Sequence, residues 1–301
     1  MSNKGLLYGI LAYTMWGVLP IYWHLLGSVP PSQILVSRII WSLIFLVILL
    51  SLRHRWSWVK PFIQQRKTLL IVGSAAILLS INWFIYIWAI TAGFVIETSL
   101  GYFINPLVNV LLGTIVLKER LRTGQWLAIG VATLGVVYLT IDYGSLPWIA
   151  LSLAFTFGFY GLLKKKVQLG SAESLTGEMA VLILPALTAS SYFLLTGKAA
   201  MFNSNATIGV LLVGSGVVTA IPLILFAAAA QRVPLSMLGL LQYIAPTLQF
   251  LIGVFILKEP FSVSSLIGYA IIWLALILYS LEGIWQRRSQ LATVSTEIPI
   301  E

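Results

Sequence analysis

Hydrophobic positions in this chain fall into ten long runs, at about 5–26, 31–52, 68–90, 94–117, 123–141, 146–163, 172–195, 206–230, 233–257 and 262–284. A helix needs roughly 20 apolar residues to cross a bilayer, and each run is near that length. The pattern therefore predicts ten membrane helices and an all-α polytopic membrane protein. Connections are short apart from 53–67 and 196–205. The polar residues after Trp285, 286–301, read as a disordered tail. The first run is too long for the apolar core of a signal peptide and lacks a small-residue cleavage site, so it is expected to stay as a helix.

The runs are not independent. Leu100 to Glu119 reads LGYFINPLVNVLLGTIVLKE and returns from Leu240 to Glu259 as LLQYIAPTLQFLIGVFILKE, offset by 140 residues with eight of twenty positions identical. The informative matches are Pro106 with Pro246, Gly113 with Gly253, and Lys118-Glu119 with Lys258-Glu259. Self-similarity at a fixed offset fixes architecture before other signals do. Here it predicts two copies of one unit, 1–141 and 142–285, each with five helices. An odd number of crossings makes the second copy enter from the opposite side. Inverted repeats of this kind are typical of secondary transporters, whose substrate sites lie near mid-membrane between the copies.

Composition narrows the reading. The chain is 59% hydrophobic and only 9% charged, against about 25% charged in soluble domains, so it belongs in lipid. With no cysteine and only His24 and His54, neither a disulfide framework nor a metal site is expected. The net charge of +9 is spread between apolar runs, which argues against nucleic acid. With the N-terminus inside, fifteen of the eighteen Lys and Arg residues fall in cytoplasmic segments, and only Lys198 and Lys258 fall outside. That bias orients the bundle with both termini cytoplasmic. The run Lys164–Lys166 reads as part of this solvated, topology-setting charge.

The remaining basic residue, Arg38, lies inside the second run. A charge within a span costs at least about 2.5–3.5 kcal/mol, so Arg38 either snorkels to the outer interface or lines a substrate path. Its counterpart at the 140 offset is Glu178. The two are expected to line opposite mouths of one cavity, too far apart to pair. Asn82 and Glu97 fall at the depth of Arg38, which suggests an outer gate with Arg38 paired to Glu97 and Asn82 bonding either. Pro106 and Pro246 each free a backbone carbonyl and are expected to act as hinges. Beside them, Tyr102, Asn105, Gln242 and Tyr243 offer hydrogen bonds. Trp41 and Tyr86 belong to a dense set of central aromatics that could face planar or amphipathic solutes.

The runs Ile81–Arg122, Trp16–Trp23, Ser37–Ser42 and Gly216–Pro260 resemble the RarD-type permeases of the EamA group, in the drug/metabolite transporter superfamily. The resemblance covers nearly the whole chain. It implies a ten-helix bacterial inner-membrane permease built from two inverted EamA repeats, and export rather than uptake. One departure is His24, where relatives tend to carry a lysine. The chain has no phosphate-binding GxxxxGK[ST], no HExxH and no GxSxG, so an enzyme is disfavoured and transport must run on gradients. The partners expected are a small-molecule substrate and the lipid bilayer, with no cofactor, no nucleic acid and a homodimer left open. An uptake permease, or a membrane protein without transport activity, is the rival reading.

Overall fold

The computed structural model describes residues 3–92, 94–256 and 263–296, and all regular structure among them is helical. The helices are α1 (Asn3–Leu25), α2 (Pro31–Leu52), α3 (Val59–Gln64), α4 (Arg66–Thr91), α5 (Val95–Ile115), α6 (Thr123–Tyr143), α7 (Trp148–Lys166), α8 (Ser171–Leu195), α9 (Ala200–Asn203), α10 (Ala206–Ala230), α11 (Leu235–Gln242), α12 (Ile244–Phe255) and α13 (Val263–Thr296). Among the described residues every long apolar run is thus helical, the ninth with a break at Tyr243.

Eight helical segments among the described residues are long and apolar enough to cross a membrane, α11 and α12 together forming one of them. Of the ten expected, α7 falls short because its last turn is Lys164-Lys165-Lys166. The tenth run lies within α13, whose described side chains include the apolar stretch Leu266–Tyr279. The tail expected to be disordered from residue 286 continues α13 as helix to Thr296. The stretch Gln286–Ala292 is rich in good helix formers and contains neither Gly nor Pro, so nothing local stops the helix.

The main contacts join the two halves of the chain. α5 packs on α7 and α11, α6 on α13, α2 on α8 and α10, α1 on α10 and α12, and α4 on α7. Small residues set the closest of these approaches. A Cβ on Gly239 of α11 would lie 2.6 Å from the Pro106 carbonyl oxygen on α5, and one on Gly216 of α10 would strike the backbone of Trp41 and Ser42 on α2.

The segments that carry the two repeated proline motifs, α5 and α11–α12, run antiparallel. The carboxylate of Glu119, just past α5, meets the start of α11 at Leu235 and Ser236. Further along, Asn109 meets Gln242 and Phe103 meets Tyr243. At Pro106 the helix continues, whereas before Pro246 it breaks between Gln242 and Ile244. Proline removes the donor that would close the turn on Gln242.

The connections also sort by end. At one end Arg55 pairs with Glu173 at 3.6 Å, Arg122 with Glu282 at 2.7 Å, and Gln231 donates to the Leu169 carbonyl at 3.0 Å. At the other, Gln33 donates to the Lys198 carbonyl at 2.7 Å, Tyr22 donates to the Leu211 carbonyl, and Ile149 N–H donates to Glu97 at 2.7 Å. These are the two groups of connections that the charge count separates.

A candidate substrate cavity between the halves

The centre of the bundle holds a cavity of about 290 Å³, lined by α1, α2, α4 and α5 from the first half and by α7, α10, α11 and α12 from the second. Aromatic rings form much of its wall, among them Tyr13, Trp16, Trp23, Trp83, Tyr86, Tyr102 and Phe157. Of the sequence-predicted residues, Arg38, Asn82, Tyr86, Tyr102, Asn105, Gln242 and Pro246 line it. Tyr102 remains 37% exposed although it lies within the bundle, because it faces this space.

Arg38 enters from α2. Its guanidinium carbon lies 4.4 Å from the Trp83 ring centre and 5.1 Å from that of Trp23, and its Nε donates to Thr219 Oγ1 at 3.0 Å. Ring faces attract a cation with about 2 kcal/mol or more when desolvated, so the indoles hold the head in the bundle. It does not snorkel out. It does not pair with Glu97 either. Both Glu97 oxygens are taken, by Tyr143 Oη at 2.8 Å and Ile149 N–H at 2.7 Å. Equal depth put Arg38 and Glu97 on one level, but Glu97 faces α6 and α7.

The amides brace the wall. Asn82 Nδ2 donates to the Leu153 carbonyl and to Thr156 Oγ1, each at 2.9 Å. Asn105 Nδ2 donates to the Ala154 carbonyl at 2.6 Å. Asn109 Nδ2 bridges Asn105 Oδ1 at 3.2 Å and Gln242 Oε1 at 3.0 Å. Gln249 Nε2 donates to the Trp16 carbonyl at 3.1 Å. Buried amide bonds fix helix positions; these tie α4 and α5 to α7, α5 to α11, and α12 to α1, while the Asn109 Oδ1 is buried with no partner among the described residues.

Five predicted residues stand apart from the cavity. Trp41 packs beside Gly216. Tyr243 is fully buried and donates to the Phe103 carbonyl. Pro106 lies against Gly239. Glu97 is bound as described, and Glu178 is buried elsewhere.

The family model of the EamA-like transporter family matches residues 3–141. The chain is 42% identical over 298 residues to "Protein RarD" of Streptomyces exfoliatus, covering 99% of this chain and 95% of that protein. It is 45% identical over 295 residues to the uncharacterized transporter YojE of Bacillus subtilis, covering 96% and 98%. The chain belongs to the EamA-like transporter family, in its RarD branch. A solved crystal structure shares the fold, with TM-score 0.70 over 93% of this chain and 98% of that one at 18% identity. The family model and the Bacillus subtilis relative are named for transport and not for an enzyme.

In this RarD-type transporter, Glu119 ties the segment after α5 to the start of α11. Lys118 takes a left-handed turn, φ 56°, and Glu119 N–H reaches back to the Gly113 carbonyl at 3.0 Å. This is a helix-ending pattern that usually uses glycine. It sends the carboxylate to Leu235 N–H at 2.7 Å, Ser236 N–H at 3.0 Å and Ser236 Oγ at 2.7 Å. A carboxylate there satisfies the free N–H groups and the dipole of α11. Lys165 Nζ donates to the Val233 carbonyl at 2.5 Å and lies 4.0 Å from Glu119. The later twin Lys258-Glu259 lies outside the described residues.

Lys164 departs from the solvated reading of its run. It is 0% exposed, as is Glu178, and the two pair at 2.6 Å, with Ser174 and the Tyr160 hydroxyl completing the shell. Lys164 lies four residues beyond Tyr160, so both occupy the same inward face of α7. Glu178 therefore does not line a cavity mouth. Gln249, Thr98 and Phe157 line the cavity without having been picked out. The repeat offset could have found Gln249, because it is the counterpart of Asn109.

Proposed function

We propose that this transporter is an inner-membrane secondary permease with ten membrane helices. It exports small organic metabolites or drugs by alternating access between two inverted five-helix repeats, 1–141 and 142–285. The N-terminus and the segment after residue 285 are cytoplasmic. The observation that carries this reading is the central cavity, because both halves line it, with four membrane helices from the first and three from the second, α11–α12 counting as one. Rocking one half against the other would change access to such a site without dismantling it. The antiparallel course of α5 and α11–α12 supports the inversion, and the sorting of connections by end supports ten crossings.

The Glu119 contact fits one state of that cycle. Glu119, Leu235, Ser236, Lys165 and Val233 join the two halves on the side where charge places the cytoplasm. The cavity lies toward the other side of this contact, in the region of Arg38, Tyr86 and Tyr102. The state therefore reads as sealed inward.

Purified protein in liposomes, assayed with a panel of labelled small solutes, tests the proposal. Saturable flux that the parent liposomes lack is the expected result. Absence of flux for every solute would remove transport. In cells, faster net entry on expression would reverse the direction to uptake.

A further inference from the structure

Arg38 is the one charged residue lining the central cavity among the described residues. The nearby acids do not balance it: Glu97 is bound to Tyr143 and Ile149, and Glu178 to Lys164. No ion pair to Arg38 occurs among the described residues. The cavity therefore has a net positive lining enclosed by rings. Attraction for an anion is stronger there than in water, because the surroundings screen little.

The geometry selects further. Arg38 spends Nε on Thr219 Oγ1, and indoles lie near its guanidinium. The Nη edge is the part of the fork left to serve a ligand. A guanidinium edge matches the two oxygens of a carboxylate. The amides are poor competitors for ligand, since Asn82, Asn105 and Gln249 donate to backbone carbonyls. A phosphate ester would bring about two negative charges to a wall with one cation and few free donors. One carboxylate is neutralised fully.

The volume, about 290 Å³, stands at the low end of ligand pockets, which run from about 300 to 1,000 Å³.

We propose that the central cavity binds small organic monocarboxylates with an aromatic or apolar body, the carboxylate on Arg38 and the body among the rings. This rests on the cavity being the substrate site and narrows what it takes. A cation is disfavoured, since it would have to sit beside an unneutralised guanidinium.

The test uses the full chain in detergent with three probes of one shape: 3-phenylpropanoate, its neutral amide, and 3-phenylpropylamine. Binding is read from tryptophan fluorescence and thermal shift. The carboxylate is expected to bind at least tenfold more tightly than the amide, and the amine more weakly still. Arg38→Gln should abolish the preference, and Arg38→Lys should keep part of it. The circular dichroism of each variant confirms folding. Equal binding of the three probes, preference for the amine, or no binding of any would overturn the proposal. Liposome flux separates this from the transport reading. Flux of neutral or cationic solutes alone leaves transport standing and sinks the anion site. Carboxylate binding lost in Arg38→Gln, with no flux of any solute, leaves the site standing and sinks transport.

Discussion

Tyr243 donates its hydroxyl to the backbone carbonyl of Phe103 at 3.2 Å, and the two residues are separated by 140 positions, the offset that relates the two proline motifs. A residue can touch its own counterpart only near an axis relating two copies. α5 and α11–α12 pass here in opposite directions, as the inverted repeat proposed above requires.

The Lys164–Glu178 pair should behave as a buried ion pair. Removing one partner leaves an uncompensated charge, which costs about 3–5 kcal/mol. Lys164→Met and Glu178→Gln are each expected to lower the thermal unfolding midpoint in detergent. The double variant Lys164→Met/Glu178→Leu should recover most of the loss. Equal midpoints for single variants and wild type would show that the pair contributes little.

Glu119→Ala should free the end of α11. Leu235 N–H and Ser236 N–H lose their acceptor, a loss of about 0.5–2 kcal/mol by analogy with helix caps. Hydrogen exchange over 235–238 is expected to speed up, with little change on the far side at 30–34. Unchanged exchange at Leu235 and Ser236 would remove the closing role assigned to the carboxylate.

Two glycines should respond in opposite directions. A Cβ at Gly216 would meet the α2 backbone, whereas at Gly130 of α6 nothing lies within 4 Å. Gly216→Ala is expected to separate α2 from α10 and lower the unfolding midpoint. Gly130→Ala should be neutral or stabilising by up to about 1 kcal/mol, from helix propensity. Matching losses in both would argue against the close approach of α2 and α10.

Helix positions were legible because each apolar run has the length that lipid demands. Arg38 was legible because charge in such a run is expensive. What each helix turns toward its neighbours was not. A helix apolar all round has no polar stripe to mark a face, so Glu97 could be placed by depth but not by direction. Lys164 was hidden by its company: three successive lysines look solvated, yet successive helix residues point about 100° apart. Only the first shares the inward face of Tyr160. Neither Trp41 nor Tyr243 lines the cavity: the α2 backbone at Trp41 lies against Gly216, and Tyr243 turns its hydroxyl to the Phe103 carbonyl.

The central claim is that two copies of one unit cross the membrane in opposite senses, and side-specific labelling tests it most directly. The chain has no cysteine, so single cysteines report cleanly. Arg55, just past α2, and Leu195, ending α8, are exposed counterparts at the 140 offset. With a membrane-impermeant maleimide on intact cells, Leu195→Cys should label and Arg55→Cys should label only after the membrane is opened. Labelling of both from the same side would contradict the account.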